Sequence, residues 1–409
     1  MQLVEQHIIN RNHIFYNECD SLCFKTKNLY NSCLYVIRQA YINDKVNLLY
    51  DLHSLMKDTE QYKELPAKVS STVLLMIQKN FKSYFKSNAE FYKNSSKFKD
   101  RPKLPNYLDK INGRYFASYT NQAISKKVFN KSHKILLSKT NIELTTKIVD
   151  FNIIDCVRIV PRLDHYVIEI VYTIPDKPKL PNNNKYLSID FGVNNLATIT
   201  SNVKDVKPII INGRPLKSIN QYYNKKLAHY KSKLELINKK KHSNRTRKLT
   251  NKRKNKVDYY LHKASKTIVS LTKNNNINTI IIGKNDNWKQ GINMTKANNQ
   301  NFVNIPHSRF IDMIIYKCEI EGINVILQEE SYTSKASFLN LDNIPIYGDN
   351  QKKHFSGYRY NRGLYKIRGR KEFINADVNG SYNILRKAIP KAFADGIEGI
   401  GVYPIKLMI

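Results

Sequence analysis

The sequence predicts an α/β chain in three parts: a helical domain set into an N-terminal β-rich module, and a C-terminal half built on a strand meander. Three observations carry this. Between Cys19 and Phe85 the apolar residues Leu22, Leu29, Leu34, Ile37, Tyr41, then Val73, Leu74, Met76, Ile77, Phe81 and Tyr84, recur at three- and four-residue steps, the period of amphipathic helices. After a Pro- and charge-rich connection at 97–114 come the runs IELTTKIV, CVRIVP and HYVIEIVYTIP, ending near Pro175. Their alternation and β-branching mark strands. The second half then opens on three short strands in succession, YLSIDFG (186–192), LATITS (196–201) and PIIIN (208–212).

The remaining elements follow in order. DKPKLPNNNK (176–185) is a linker by composition. Leu216 to Lys273 is polar, very basic and helical in period, and the break at KKHSNR folds it into a helical hairpin. INTIIIG (277–283) is an apolar strand of the buried type. PHSRFIDMIIYKCEIEG (306–322) is a helix with Pro306 near its start, the stripe Phe310, Met313, Ile314 and Cys318, and Gly322 as its stop. INVILQEE (323–330) is a further strand. Three meander strands followed by strand, helix and strand is the element order of an RNase H-like core.

The charge narrows the function. Lys and Arg number 68 against 33 Asp and Glu, a net charge of +35 and a pI near 9.8. An ordinary metabolic enzyme is excluded as the default, because such a surplus calls for a polyanionic partner, most commonly nucleic acid. With 41% hydrophobic residues the chain still buries real cores, so it is no disordered basic tail. The longest apolar stretch, within STVLLMIQ, falls far short of the roughly 20 residues of a membrane helix, and no membrane partner is expected. The N-terminus lacks a secretory pattern. Five scattered cysteines without a CxxC pair argue against disulfides and a cysteine zinc site. A bacterial-type cytoplasm, in association with the nucleoid, is the expected compartment.

Three groups of carboxylates carry the chemistry. Asp190 ends an apolar strand just before Phe-Gly, where the chain turns, and a carboxylate there is costly unless a cation meets it. Asp377 lies in INADVNGSYNILRK, just before a helical run, and Glu329 and Glu330 close the last predicted strand. Singly, each has an ordinary explanation: a turn residue, a helix N-cap, a solvated pair. Together, in this strand order and on so basic a chain, they suit hard divalent cations that activate water and stabilise the leaving oxygen of a phosphodiester.

SIDFGVNNLAT, IPHSRF with YKCEIEGINVI, SYTSKASF and NADVNGSYNILRK resemble the three-part RuvC nuclease core of TnpB proteins, the transposon-encoded relatives of type V CRISPR effectors. LVEQHIINRNH, LCFKTKNLYN, YTNQAISKK and NGRPLKSINQYYNKK resemble the same family, so the likeness spans nearly the whole chain. It implies an RNA-guided DNA endonuclease dependent on Mg²⁺ (or Mn²⁺), whose partners are a guide RNA and a target DNA beside a short flanking motif. The implied layout is a wedge-like guide-RNA- and DNA-binding module at 1–18 and 101–180, a helical recognition domain at 19–100, and a RuvC-like nuclease domain at 181–409. The last carries a basic hairpin at 215–274 and an insert at 331–373. The implied catalytic residues are Asp190, Glu330 or Glu329, and Asp377, with Asp190, Glu330 and Asp377 as metal ligands.

Two departures stand out. Relatives carry the second catalytic Glu at the end of the strand that reads NTIIIGKN here, and this chain has Gly283 in that place. Neighbouring strands lie about 4.8 Å apart, so a Glu on the next strand reaches the same site. Strand alternation puts Asn324, Gln328 and Glu330 on one polar face, as it does Tyr186, Ser188 and Asp190, which favours Glu330 and keeps Glu329 as substitute. The rival reading is a guided DNA-binding protein that has lost cleavage and acts by occupying its target. Secondly, the insert has no cysteine where relatives hold a zinc ribbon, and His354 alone makes no tetrahedral site. No zinc is expected there. A metal-free knuckle is expected instead, packed by Phe338, Tyr347, Phe355, Tyr358, Tyr360 and Tyr365, with Arg359, Arg362, Arg368 and Arg370 facing nucleic acid. Further phosphate-binding candidates are Lys126, Lys127, Arg214, Lys217, Lys225, Lys226, Lys239, Lys240, Arg247, Lys252 and Arg253.

Overall fold

The computed structural model describes residues 1–42, 48–238, 242–285, 303–348, 354–361 and 363–409. They form two compact units, Met1–Pro175 and Asp176–Ile409.

In the first unit, strand β1 (Gln2–Ile9) leads into the helices α1 (Tyr16–Ile42), α2 (Leu48–Met56), α3 (Glu60–Lys63) and α4 (Ala67–Lys93). After them come β2 (Ala117–Thr120), α5 (Lys126–Ser132), β3 (Lys134–Leu136), β4 (Glu143–Thr145), β5 (Ile154–Pro161) and β6 (Tyr166–Thr173). The sheet runs β1-β6-β5-β2, antiparallel throughout, and β1 pairs with β6 from Gln2 opposite Thr173 to Ile9 opposite Tyr166. Most of the helical stripe read from the sequence is its core: Leu29, Leu34, Val73 and Phe81 are buried with Ile168 and Ile170 of β6, whereas Tyr41 is exposed. The run IELTTKIV yields only the three residues of β4, because its outward side chains, Glu143 and Thr145, alternate for a short hairpin with β3 and no further partner continues it.

The second unit opens on β7 (Tyr186–Phe191), β8 (Asn195–Ser201) and β9 (Ile209–Asn212), an antiparallel meander. The hairpin follows as α6 (Arg214–Asn238) and α7 (Asn244–Asn274), the latter started by a capping box between Ser243 and Thr246. Next come β10 (Thr279–Gly283), α8 (His307–Glu321) and β11 (Asn324–Gln328). Gly322 stops α8 at φ +74, a left-handed conformation that a side chain disfavours. The insert supplies β12 (Gly357–Asn361), β13 (Leu364–Ile367) and β14 (Phe373–Asn375), followed by α9 (Ala376–Ala388) and β15 (Ile405–Leu407). The main sheet runs β11-β10-β7-β8-β9-β15, with β10 parallel to both β7 and β11.

Alternation along β7 divides this unit into layers. Leu187 and Ile189 face α7 and α8 in a core with Leu261, Ile268, Phe310 and Ile314. Tyr186 and Ser188 face α9, where Ile281, Ile384 and Leu385 pack and Ser188 Oγ donates to the Ser381 carbonyl at 2.8 Å. The stripe predicted for α8 is buried as expected. Within the insert, Phe338 and Tyr365 are fully buried, and Phe338 stacks on Tyr382 at 4.2 Å. Tyr347, Tyr358 and Tyr360 are exposed, so a three-stranded sheet organises this segment rather than an aromatic knuckle. The strand expected over 323–330 ends at Gln328, where pairing with Gly283 ends too. Among the described residues no helix is long and apolar enough to cross a membrane.

Candidate active site

The β7 strand delivers Asp190 to the edge where the sheet meets the N-terminal part of α9. The turn behind it is held by His307, whose Nε2 is 3.0 Å from the Gly192 carbonyl. Gly380 on α9 lets the carboxylate lie close: a Cβ there would stand 3.0 Å from Asp190 Oδ2. Burial first, then the charges of Glu330 and Asp377, push the Asp190 carboxyl well above the usual carboxylate range, with Arg359 working the other way.

Glu330 arrives from the loop beyond β11. Its backbone N–H donates to Asn285 Oδ1 at 2.9 Å, and Asn285 Nδ2 donates back to Glu330 Oε2 at 3.4 Å. Held this way, the side chain fills the room that Gly283 leaves. A Cβ on Gly283 would overlap Glu330 Oε1 and would lie 2.7 Å from Ile384 Cδ1. Oε1 is buried and has no hydrogen-bond partner among the described residues. Burial, with the charge of Glu329, raises this carboxyl to about 7.

Asp377 sits in the first turn of α9. The N-cap Asn375 accepts from its N–H at 3.0 Å and from that of Val378 at 3.1 Å. Both carboxylate oxygens are engaged: Oδ1 accepts from Arg359 NH2 at 2.6 Å, and Oδ2 from Asn195 Nδ2 at 2.7 Å. Beside it lies a cleft of about 620 Å³ lined by Asn195, Arg214, Arg359, Gly363 and Lys406.

The structure thus brings Glu330 and Asp377 each within electrostatic reach of Asp190. Glu329 turns elsewhere: Lys387 Nζ donates to its Oε2 at 2.6 Å and the Ser331 N–H to its Oε1 at 2.6 Å. Burial works to raise its carboxyl, but these hydrogen bonds outweigh that and hold it low. Glu330 does not reach the site through strand alternation, since β11 stops two residues short of it; the loop and Asn285 aim it.

A hard divalent cation suits this donor set. An unpartnered buried carboxylate oxygen on Glu330 and a desolvated carboxyl on Asp190 both gain from a cation between them. The described residues hold no ready group of three or more His, Cys, Asp or Glu ligands, and Asp377 is paired with Arg359 instead.

Among the basic residues singled out from the sequence, Lys126 and Lys127 are exposed on α5, Arg214, Lys225, Arg247 and Lys252 are exposed, and Lys217 and Lys226 are half-buried. Arg253 is tied into the fold instead, donating to Asn220 Oδ1 at 2.7 Å and to the Asn304 carbonyl at 3.1 Å. Arg359 is taken up by Asp377. Lys239, Lys240 and Arg362 lie outside the described residues. The sequence reading missed Asn195, Asn285, Gly380 and Lys406. Only Asn195 carried a local signal, as the last residue of the tight GVNN turn behind Asp190.

The second unit is thus a layered α/β arrangement with Asp190 at a sheet edge and with Glu330 and Asp377 both close enough to influence it. Residues 169–289 match the family OrfB_IS605, described as probable transposase, and residues 307–384 match the Cas12f1-like TNB domain. Over these two stretches the chain is similar to transposon-encoded TnpB proteins and to Cas12f-like effectors. A comparison with curated proteins finds no match. Among solved structures it is similar to a Cas12f1–sgRNA–target DNA complex, at 14% identity and TM-score 0.35 over 93% of this chain and 98% of that one. A CRISPR–Cas12f ternary complex matches at 15% identity and TM-score 0.35, over 90% and 80% of the two chains. C2c1 of Alicyclobacillus acidoterrestris bound to single-guide RNA matches at 8% identity and TM-score 0.42, over 91% and 70%.

Proposed function

We propose that this chain is an RNA-guided DNA endonuclease of the RuvC type, cleaving DNA by phosphodiester hydrolysis with Mg²⁺ or Mn²⁺. Asp190, Glu330 and Asp377 are its metal ligands. The observation that carries this reading is Glu330: a partly buried carboxylate with an orphaned oxygen occupies the space beside Gly283, next to Asp190. A carboxylate held there at a cost in burial makes sense if a cation meets it. The first unit and the basic hairpin supply the guide-RNA and target-DNA surface, consistent with a net charge of +35.

Divalent ions held by Asp190, Glu330 and Asp377 would supply activation of water and stabilisation of the leaving oxygen. The protein's own residues do the rest. Asn285 orients Glu330, Asn195 orients Asp377, and Gly380 leaves room for the Asp190 carboxylate against α9. Arg214 and Lys406, along the cleft, hold the phosphates of the strand to be cut.

A second reading is a guided DNA-binding protein without cleavage. The ion pair between Arg359 and Asp377 favours it, because it neutralises one of the three carboxylates. The deciding experiment purifies the chain with the RNA that accompanies it, and presents DNA carrying the matching target beside randomised flanking sequence. Mg²⁺-dependent cutting, abolished separately by Asp190→Ala, Glu330→Ala and Asp377→Ala with target binding retained, is the expected result. Tight guided binding without cutting at any metal concentration establishes the second reading instead.

A further inference from the structure

Arg359 is paired with one anion and faces an open cleft that could hold a second. The paired anion is Asp377, at 2.6 Å, and the cleft is shared with Arg214 and Lys406. The Arg359 side chain is about half exposed, at 49%, and it lines that cleft while one of its nitrogens grips the carboxylate. Asn195 takes the second oxygen of Asp377. Asn195 is neutral and holds the carboxylate in place, whereas Arg359 cancels the charge a metal ion would need.

We infer that Arg359 is a latch: a strand phosphate seated in the cleft it shares with Arg214 and Lys406 draws it off Asp377, so that polynucleotide and divalent cation are taken up together. The inference rests on the metal centre proposed above. Its physical basis is competition for one guanidinium. Arginine binds phosphate and carboxylate in the same forked geometry. A phosphate arriving between Arg214 and Lys406 offers Arg359 an alternative partner, and Asp377 regains a free charge. Thermodynamic linkage makes the effect reciprocal: whatever factor the strand adds to metal affinity, the metal adds to strand affinity. A chain built this way keeps its metal centre incomplete until substrate is in the cleft.

The test measures Mn²⁺ binding by the loss of the free-ion paramagnetic resonance signal. The full chain, freed of nucleic acid, is titrated alone and with a short single-stranded oligodeoxynucleotide. Arg359→Gln is expected to tighten Mn²⁺ binding of the chain alone by about tenfold and to remove most of the gain the oligonucleotide gives the native chain. Lys406→Gln removes a charge from the same cleft without touching Asp377, and is expected to have a much smaller effect on Mn²⁺. Equal effects from the two substitutions, or an oligonucleotide gain undiminished in Arg359→Gln, overturn the latch. Asp190→Ala separates this failure from that of the metal centre. Mn²⁺ binding indifferent to Asp190→Ala sinks the centre itself, whereas Asp190-dependent binding indifferent to Arg359 sinks only the latch.

Discussion

Adding one methyl group at position 283 tests the placement of Glu330 directly. In Gly283→Ala the new carbon overlaps Glu330 Oε1 and stands 2.7 Å from Ile384 Cδ1 and 2.9 Å from Glu330 Cδ. All three are inside van der Waals contact, so something must move. Overpacking of a core position costs about 1–3 kcal/mol. Here the yielding group is the end of a flexible side chain, and expelling a desolvated carboxylate recovers part of the cost, so a net loss near 1 kcal/mol is expected. The chemical effect is far larger, since the ligand is pushed out of the site: a loss of at least about 100-fold in cutting rate. Gly283→Glu is expected to be at least as harmful, because it crowds a further carboxylate against Asp190 and Glu330 and raises their affinity for protons. The double variant Gly283→Glu, Glu330→Gly, which returns the carboxylate to β10, is expected to recover more than Gly283→Glu alone. Initial cleavage rates at saturating Mg²⁺, with thermal unfolding run in parallel, separate the two effects. Wild-type cutting in Gly283→Ala, or a gain of cutting in Gly283→Glu from an otherwise inert chain, refutes the relocated ligand.

Three further outcomes are expected. Glu329→Gln, which loses only the contact with Lys387 and Ser331, should keep cutting within a few-fold of native, while Glu330→Gln abolishes it; equal losses would show that both residues serve the centre. The metal-free protein should lose stability with rising pH: the Glu330 carboxyl is raised in the folded chain from its ordinary 4.5 to about 7, so its contribution is whole below the lower value and gone above the upper one. Denaturation in chelator should show a loss of about 2 kcal/mol between about pH 5 and about pH 7, flattened in Glu330→Gln. RNA affinity should fall steeply between low and moderate salt, because each neutralised phosphate releases counterions; a flat salt dependence would remove the basic-surface reading.

Sequence alone determined the features that live within one element. Asp190 was legible because an apolar strand, an acid and a turn-forming Gly are adjacent in the chain. The buried stripe of α8 was legible because its spacing is set by 3.6 residues per turn, whatever the helix packs against. Asp377 at a helix start was legible from the NAD sequence before an amphipathic run. Gly283, in place of an acid, marked the departure from the family's pattern without showing what compensates for it.

Tertiary structure alone decided how those features meet. Parity counted along INVILQEE favoured Glu330, yet parity is a property of a paired strand, and pairing stops at Gly283 and Gln328. From there the direction of Glu330 depends on Asn285, which lies 45 residues away in the chain. The partners of Asp377 are likewise remote, with Asn195 lying 182 residues away and Arg359 set on a separate small sheet. Such contacts depend on the register of one strand against another and on how α9 seats over β7 and β8. Periodicity carries no information about either, because it records which side of an element is apolar and not which element that side will meet.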